Sequence, residues 1–598
     1  MKTSICYTKK VFLGGLFMTY NEEYAKWLNS VDESDRGELE NIANDEKEKA
    51  ERFSLPLAFG TAGMRGIIGV GSFRMNEYTV RRATLGLAKF ISAQGEEARK
   101  KGVVISYDTR IKSFEFALAA ARVLAANKIK VYFFENVRPV PFCSFAVGEL
   151  KTAAGIMITA SHNPKEYNGY KVYGPDGAQM SPENTAEVVK YIYELDYFGI
   201  EEAAVATVDR KEIAGKDGFY LNEYVEVIGK SLDEKYYAAI SALSLSPEAV
   251  KAQCSNLRIV YTPIHGTGYI PVTTMLSRMN IPYDLVEEQK SPDGTFPTVK
   301  LPNPENPDAL ALGIELADKI KADVVIGTDP DADRMGVAVR RDDGEFVLLT
   351  GNQIGAMLAD YILRRHTEKG DLPANAAIVK TIVTTSLAKK VAESYGAECI
   401  DVLTGFKFIG EKINKWAVDG EHTFMFGYEE SYGYLSGTHA KDKDAVVSAM
   451  LFAEMVCYYK NEGVSIYQRL QELYAKHGYY AEISEAATFA GLDGMKIMAD
   501  KMDELGKTEI TEISGIKVVF TDNLNTGIRK YADGRQEKID LPKSNVYYYS
   551  LGSDWVCARP SGTEPKLKVY VSACGESREI AYEKATALIK DIKNRVIG

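Results

Sequence analysis

Three aspartates at alternate positions, Asp329, Asp331 and Asp333, follow the apolar run VVIGT, and a second apolar run follows Arg334. Carboxylates this close on a tight loop repel one another unless they share a cation, and an all-oxygen set suits Mg²⁺. The spacing is not that of an EF-hand, whose sixth and twelfth loop positions would fall on Arg334 and Arg340. A second stretch, TASHNPKEYNGYK at 159–171, puts Ser161 just after the small and apolar residues AAGIMI. Asn163 and Pro164 favour a turn there, so the serine is expected at the carboxyl end of a buried strand, where open α/β sheets bind ligands. A bare serine is a weak nucleophile and needs a base, a metal or an already attached group. His162 and Lys171 are the nearby candidates.

Two further loops carry suitable side chains. In FGYEESYGYLSG (426–437), Gly427 and Gly433 bracket Glu429 and Glu430 among aromatic residues. Paired carboxylates can accept hydrogen bonds from neighbouring sugar hydroxyls, and aromatic rings can pack on a sugar face. In CARPSGTEPKLKVYV (557–571), Arg559, Ser561, Gly562, Thr563 and Lys566 put a guanidinium fork, hydroxyls and flexible backbone into one turn, with Lys568 just beyond. That combination can hold a phosphate dianion. FGTAGMRG (59–66), with three glycines around Arg65, reads as a second anion cradle.

The elements that must position these loops alternate apolar strand-like runs with amphipathic helical stretches, the pattern of α/β layers. VVISYDTR (103–110), a helix, and VYFFENV (131–137) form one such block. LRIVYTPIHGTGY (257–269), a helix, and YDLVEEQ (283–289) form a second, and AAIVKTIVTTS (376–386), a helix, and ECIDVLTG (398–405) a third. After about residue 478 the expected strands are short and tyrosine-rich, and SREIAYEKATALIKDIKNRV closes the chain as a helix, so a smaller α+β domain is expected there.

A chain of 598 residues is too long for one core. Its hydrophobic and charged fractions, 45% and 26%, are those of a globular protein, and the formal net charge of −11 argues against non-specific nucleic-acid binding. Seven scattered cysteines with no CxxC pair suit buried thiols in a reducing compartment. The start, KKVFLGGLF, has no small-residue cleavage site after it, whereas MTYNEEYAKWLNS reads as a helix beginning from Met18. Residues 1–17 are therefore read as an N-terminal extension. No run approaches the roughly 18 apolar residues needed to span a bilayer, and a cytoplasmic protein with no membrane or nucleic-acid partner is expected.

Taken together, the four loops resemble the motifs of the α-D-phosphohexomutase superfamily, and within it the phosphoglucomutase/phosphomannomutase group. TASHNPKEYNGYK resembles the family's phosphoserine loop, DPDADR its metal loop, GYEESYGY its sugar-binding loop and RPSGTEPK its phosphate-binding loop, in family order from about residue 20 onward. The resemblance implies four domains around a central cleft, three related mixed α/β domains and a smaller C-terminal α+β domain. The expected spans are 18–222, 223–342, 343–478 and 479–598, with one loop in each.

By the same resemblance, Ser161 carries a phosphoryl group, and Mg²⁺ is held by Asp329, Asp331, Asp333 and an oxygen of that phosphoserine. Lys171 and Arg65 assist as positive neighbours or in proton transfer, with His162 a lesser candidate. Arg334, Glu429, Ser431 and the VLTGFKFIG stretch (Thr404, Gly405, Lys407) contact the sugar. Arg559, Ser561, Gly562, Thr563 and Lys568 hold the phosphate that is not reacting. FGTAGMRG departs from the pattern at Ala62, where many members have serine.

The implied reaction interconverts α-D-glucose 1-phosphate and glucose 6-phosphate through a bound glucose 1,6-bisphosphate that reorients, with sugar phosphates as the only partners and no obligate protein partner. The longer GYEES loop points to glucose phosphates. Phosphopentomutase and phosphomannomutase share the mechanism and stand as alternatives. A haloacid-dehalogenase-type phosphatase also needs a strand running into D-x-D, but it would leave Ser161 without a role. A non-catalytic scaffold would leave all four loops idle.

Overall fold

The computed structural model describes residues 11–13, 16–60, 63–205, 209–489, 494–560 and 566–597. They form two compact units. One takes the chain up to Ser244, then Cys254–Ala338 and Gly437–Ala453; the other takes Leu245–Gln253, Val339–Ser436 and Glu454 onward.

The first unit holds a seven-stranded mixed sheet in the order Gly63–Ile67, Tyr167–Tyr173, Ala154–Ile158, Val103–Tyr107, Val131–Phe134, Val225–Ile228, Phe219–Tyr220. Its centre is parallel, Val103–Tyr107 pairing with both Val131–Phe134 and Ala154–Ile158. The central strands Val103–Tyr107 and Ala154–Ile158 are buried at every position, as expected of parallel strands covered on both faces. Helices Glu77–Ala93, Ser113–Ala126 and Pro182–Tyr193 pack into the same core through Leu87, Leu124 and Val188. The first of them starts in a capping box between Asn76 and Thr79. A parallel set follows, Tyr283–Leu285, Ile259–Thr262 and Val324–Thr328, with Met335–Arg340 beside it. Three helices over 20–53 close around Trp27, which is fully buried against Phe53 and Tyr78.

In the second unit, Glu398–Val402, Ala376–Thr381, Thr423–Glu429 and Gly433–Ser436 form a four-stranded sheet, parallel but for its last strand. The C-terminal part is an antiparallel seven-stranded sheet backed by helices Gly494–Lys507 and Arg578–Ile597.

The three expected strand–helix–strand blocks and the closing helix are present, with some boundaries shifted. The strand expected over 103–110 stops at Tyr107, because Asp108 turns its carboxylate onto the backbone N–H of Arg110, at 2.9 Å. The run 283–289 is a strand only to Leu285, followed by a 3₁₀ turn over Glu287–Gln289. The C-terminal strands are not all short, since Tyr479–Thr488 and Lys566–Gly575 pair antiparallel along ten residues. Within the segment read as an extension, Val11–Leu13 pairs with Leu16–Met18, and the helix starts at Tyr20 behind a Thr19 cap.

Candidate active site

Ser161 stands three residues past the strand Ala154–Ile158 with φ of 54°, in the left-handed region that a residue with a side chain rarely adopts. Thr159 holds that conformation by accepting the Ser161 backbone N–H on its hydroxyl at 2.8 Å. The result aims the Ser161 Oγ at Asp329, to whose Oδ2 it donates at 3.0 Å, with His162 Nδ1 at 3.2 Å. The serine is at a strand's carboxyl end, as expected. It is only 4% exposed, facing a carboxylate rather than open solvent.

The aspartates lie on the loop after Val324–Thr328, and all three are buried. Asp329 shapes that loop, its Oδ1 accepting the backbone N–H groups of Asp333 and Arg334 at 3.1 and 3.0 Å. The neighbouring loop supports it from below, with the Thr267 N–H and hydroxyl donating to the Pro330 carbonyl at 2.8 and 3.0 Å. Gly266 is required there, since a Cβ would come within 2.5 Å of the Pro330 Cα.

One carboxylate oxygen from each aspartate lies within 4.8 Å of the others. Asp331 Oδ1 and Asp333 Oδ1 are buried and accept no hydrogen bond from the described residues. Clustered, buried, unsatisfied carboxylate oxygens fit a hard divalent cation. Lysines partly neutralise the cluster: Lys171 Nζ lies 3.1 Å from Asp331 and 3.3 Å from Asp333, and Lys443 Nζ lies 3.3 Å from Asp333.

The electrostatics follow. Burial, then the charges of Asp331 and Asp333, push the Asp329 carboxyl well up. Burial acts the same way on Asp333, but Lys443, Lys171 and Arg334 outweigh it and hold that carboxyl below the usual range. Burial would lower Lys171, yet Asp331 and Asp333 raise it, so it stays a cation. Burial and the guanidinium groups of Arg334 and Arg65 hold His162 well down, hence neutral.

Arg65 lies on the strand Gly63–Ile67 opposite Gly169, exposed, and donates to Asn163 Oδ1 at 2.9 Å. Gly63 is required where its strand pairs with Tyr167–Tyr173, for a Cβ there would meet the Tyr170 carbonyl oxygen at 1.9 Å. Ala62 lies outside the described residues. Arg334 pairs with Glu305 at 2.5 Å.

In the second unit, Glu429 ends the strand Thr423–Glu429 and accepts the Gly405 N–H at 2.9 Å. Gly405, at φ of 124°, precedes the helix Phe406–Asp419, so the stretch holding Thr404, Gly405 and Lys407 meets the GYEES loop directly. Lys407 Nζ lies over the Phe408 ring at 4.8 Å. Glu430 accepts from Thr381 and Thr384 at 3.2 and 3.4 Å, and Ser431 is half-buried in the following turn. Tyr432, at φ of 65°, ties that turn to the Leu349 carbonyl at 3.1 Å.

Arg559 is next to last on the strand Trp555–Pro560, and among the described residues its buried Nη1 has no hydrogen-bond partner. Lys568 stands opposite it in the ladder, on the same sheet face, and is exposed. Ser561, Gly562 and Thr563 lie outside the described residues.

The structure thus brings Ser161, His162, Lys171 and the three aspartates together, and separately Glu429 with Gly405. Sequence reasoning missed Thr159, whose hydroxyl also donates to Asp331 at 3.0 Å, and it missed Lys443. Thr159 lies inside the quoted serine motif, two residues before Ser161. Lys443 sits in an unremarkable charged run, HAKDKDA, with no local signal.

Comparison with known proteins agrees with this geometry. Residues 56–197, 234–344 and 350–477 match the families described as phosphoglucomutase/phosphomannomutase α/β/α domains I, II and III. A phosphoglucomutase of Staphylococcus haemolyticus is 37% identical over 549 residues, covering 91% of this chain and 94% of its own. One of Staphylococcus aureus (strain MRSA252) is 37% identical over 546 residues, covering 91% and 94%.

Among solved structures, a Burkholderia thailandensis phosphoglucomutase/phosphomannomutase family protein shares the fold at 18% identity and a TM-score of 0.62, covering 90% of this chain and 97% of that one. Paramecium pp63/parafusin does so at 17% and 0.64, covering 90% and 94%. The three α/β domains and the sheet-rich C-terminal region, the paired Ser161 and aspartate loops, and these relatives over nine-tenths of the chain place it in the phosphoglucomutase/phosphomannomutase family.

Proposed function

We propose that this chain is a phosphoglucomutase, an isomerase that interconverts α-D-glucose 1-phosphate and glucose 6-phosphate. The observation that carries the reading is the Ser161 hydroxyl held 3.0 Å from Asp329 within a buried three-carboxylate cluster, on a chain whose relatives bear that name. Ser161 carries a phosphoryl group in the working enzyme. Asp329, Asp331 and Asp333, with one oxygen of the phosphoserine, would hold Mg²⁺, which neutralises charge on the transferring phosphoryl when bound.

In the forward direction the Oγ–P bond of phosphoserine breaks as phosphorus bonds to O6 of glucose 1-phosphate. The resulting glucose 1,6-bisphosphate turns end for end, and its 1-phosphoryl returns to Ser161, releasing glucose 6-phosphate. Lys171, held cationic, stabilises the equatorial oxygens, and Arg65 lies beside the same loop. Neutral His162 is the group able to accept the hydroxyl proton. Glu429, Ser431, Thr404, Gly405, Lys407 and Arg334 meet sugar hydroxyls in either pose. Arg559, Ser561, Gly562, Thr563 and Lys568 hold the distant phosphate, and the buried Arg559 Nη1, without a hydrogen-bond partner among the described residues, supports that role.

Each of the spans 18–222, 223–342, 343–478 and 479–598 then contributes one loop to the cycle. We place the enzyme in the cytoplasm: none of the six described cysteines forms a disulfide, and among the described residues no helix is long and apolar enough to cross a membrane. The family assignment displaces the dehalogenase-type phosphatase.

The test is chemical. Enzyme treated with ³²P-labelled glucose 1,6-bisphosphate should hold acid-stable label that Ser161→Ala abolishes, with turnover reduced by about 10³-fold or more. Near-normal turnover in Ser161→Ala would overturn the role of Ser161. Relative kcat/KM for glucose 1-phosphate and ribose 1-phosphate tests the substrate, a ribose preference making the enzyme a phosphopentomutase.

A further inference from the structure

Arg110 is a buried cation beside Ser161, 3% exposed, and belongs to none of the loops already assigned a role. Its guanidinium donates to four backbone carbonyls of the serine loop. Nη2 reaches Ser161 O and Asn163 O, each at 2.5 Å, and Nη1 reaches Pro164 O at 2.8 Å and Tyr167 O at 3.2 Å. Four carbonyls converge on one group here, and the planar fork of arginine, with five N–H donors against the three of lysine, can satisfy all four at once.

The fork is itself held rigidly. Asp108 Oδ2 lies 3.4 Å from Nε, and Asp108 Oδ1 accepts the Arg110 backbone N–H at 2.9 Å and the Ser113 hydroxyl at 2.7 Å. Phe296 covers the guanidinium, its ring centre 5.0 Å away, on a segment whose Gly294 backbone bridges to Arg110. A Cβ at Gly294 would come within 2.5 Å of the Ile111 nitrogen.

We propose that Arg110 is a positioning residue for phosphoryl transfer: its fork locks Ser161 in the left-handed conformation that aims Oγ at the aspartate cluster. This rests on the phosphoserine reading above. Both Arg110 Nη groups are turned onto the backbone of the serine loop, so its loss acts on the transfer step and not on substrate affinity. Displacing a reacting group by about 1 Å can cost about 10²-fold in rate.

The experiment is single-turnover transfer from ³²P-labelled enzyme to glucose 1-phosphate, alongside steady-state KM, for the full-length parent, Arg110→Lys and Phe296→Ala. Lysine keeps the charge but cannot span four carbonyls, so its transfer rate should fall about 10- to 100-fold per folded molecule. KM should stay within about threefold. Phe296→Ala, which frees the guanidinium without removing it, should lower the rate several-fold in the same direction. It decides the matter if Arg110→Lys does not fold. A merely structural role would lower the folded fraction while leaving transfer by folded molecules unchanged, and that result overturns the proposal, as does a raised KM at parental transfer rate. A parent that takes no label overturns the phosphoserine reading and this inference with it. A labelled parent beside unaffected variants overturns the inference alone.

Discussion

Glu430 sits between the Thr381 and Thr384 hydroxyls and its neighbour Glu429, and burial first, then the Glu429 charge, push its carboxyl up to about 7. A glutamate in an unfolded chain titrates near ~4.3. Below that value both states hold the proton, and the neutral carboxyl stabilises the fold fully. As pH rises toward about 7 the unfolded state gives up its proton first, so this stability drains away. Glu430→Gln keeps the neutral shape at every pH. Its stability relative to the parent should therefore grow by about 2 kcal/mol between about pH 5 and about pH 8, read from urea midpoints. A pH-independent difference would mean that Glu430 is ionised throughout. The sequence displayed two adjacent acids but not that one of them keeps its proton, because that difference comes from Thr381, Thr384 and depth of burial. The aspartates were legible for the opposite reason. Their clustering is local, so a group of three carboxylates can be read from spacing alone.

Elements meet these residues at close range, and glycine marks where. The helix Gly351–Lys369 starts in a capping box between Thr350 and Gln353, and a Cβ on Gly351 would stand 2.1 Å from the Glu430 carbonyl oxygen. The helix start and the GYEES turn are thus in backbone contact, and one cannot move without the other. Gly351→Ala must displace that turn. It should raise KM for glucose 1-phosphate about tenfold while acid-stable label on Ser161 persists. An unchanged KM would show that the turn does not hold the sugar. Strands such as Ala154–Ile158 were legible as apolar runs closed by polar turns. Their ends were less so: whether Asp108 continued a strand or capped Arg110 depended on partners in the Ser161 loop. The pairing order of the C-terminal sheet was also hidden, since tyrosine-rich runs suit many partners equally well.

At the scale of the whole molecule, the feature least visible in sequence is the return of Gly437–Ala453 to the first unit, after a long excursion of the chain through the second. The return places Lys443 on Asp333 and Asp442 on Tyr173, whose hydroxyl donates to it at 2.8 Å. Nothing periodic in HAKDKDA announces this, because the partners lie more than a hundred residues earlier. Asp444 is the fastener. It is fully buried, its Oδ1 accepting the Val446 and Val447 N–H groups at 2.8 and 3.0 Å at the head of the helix Ala445–Asn461. Its Oδ2 takes the Tyr236 hydroxyl at 2.7 Å and lies 2.7 Å from His439 Nε2. Asp444→Ala removes a helix cap and strands a buried hydroxyl and an imidazole at once, so it should cost about 3 to 5 kcal/mol. Asp444→Asn keeps one acceptor and should cost less than half as much. Urea unfolding followed by circular dichroism measures both. A loss below about 1 kcal/mol for the alanine variant would mean that the segment is held by Lys443 and Asp442 instead, and that the return of the chain is fastened at the aspartate loop itself.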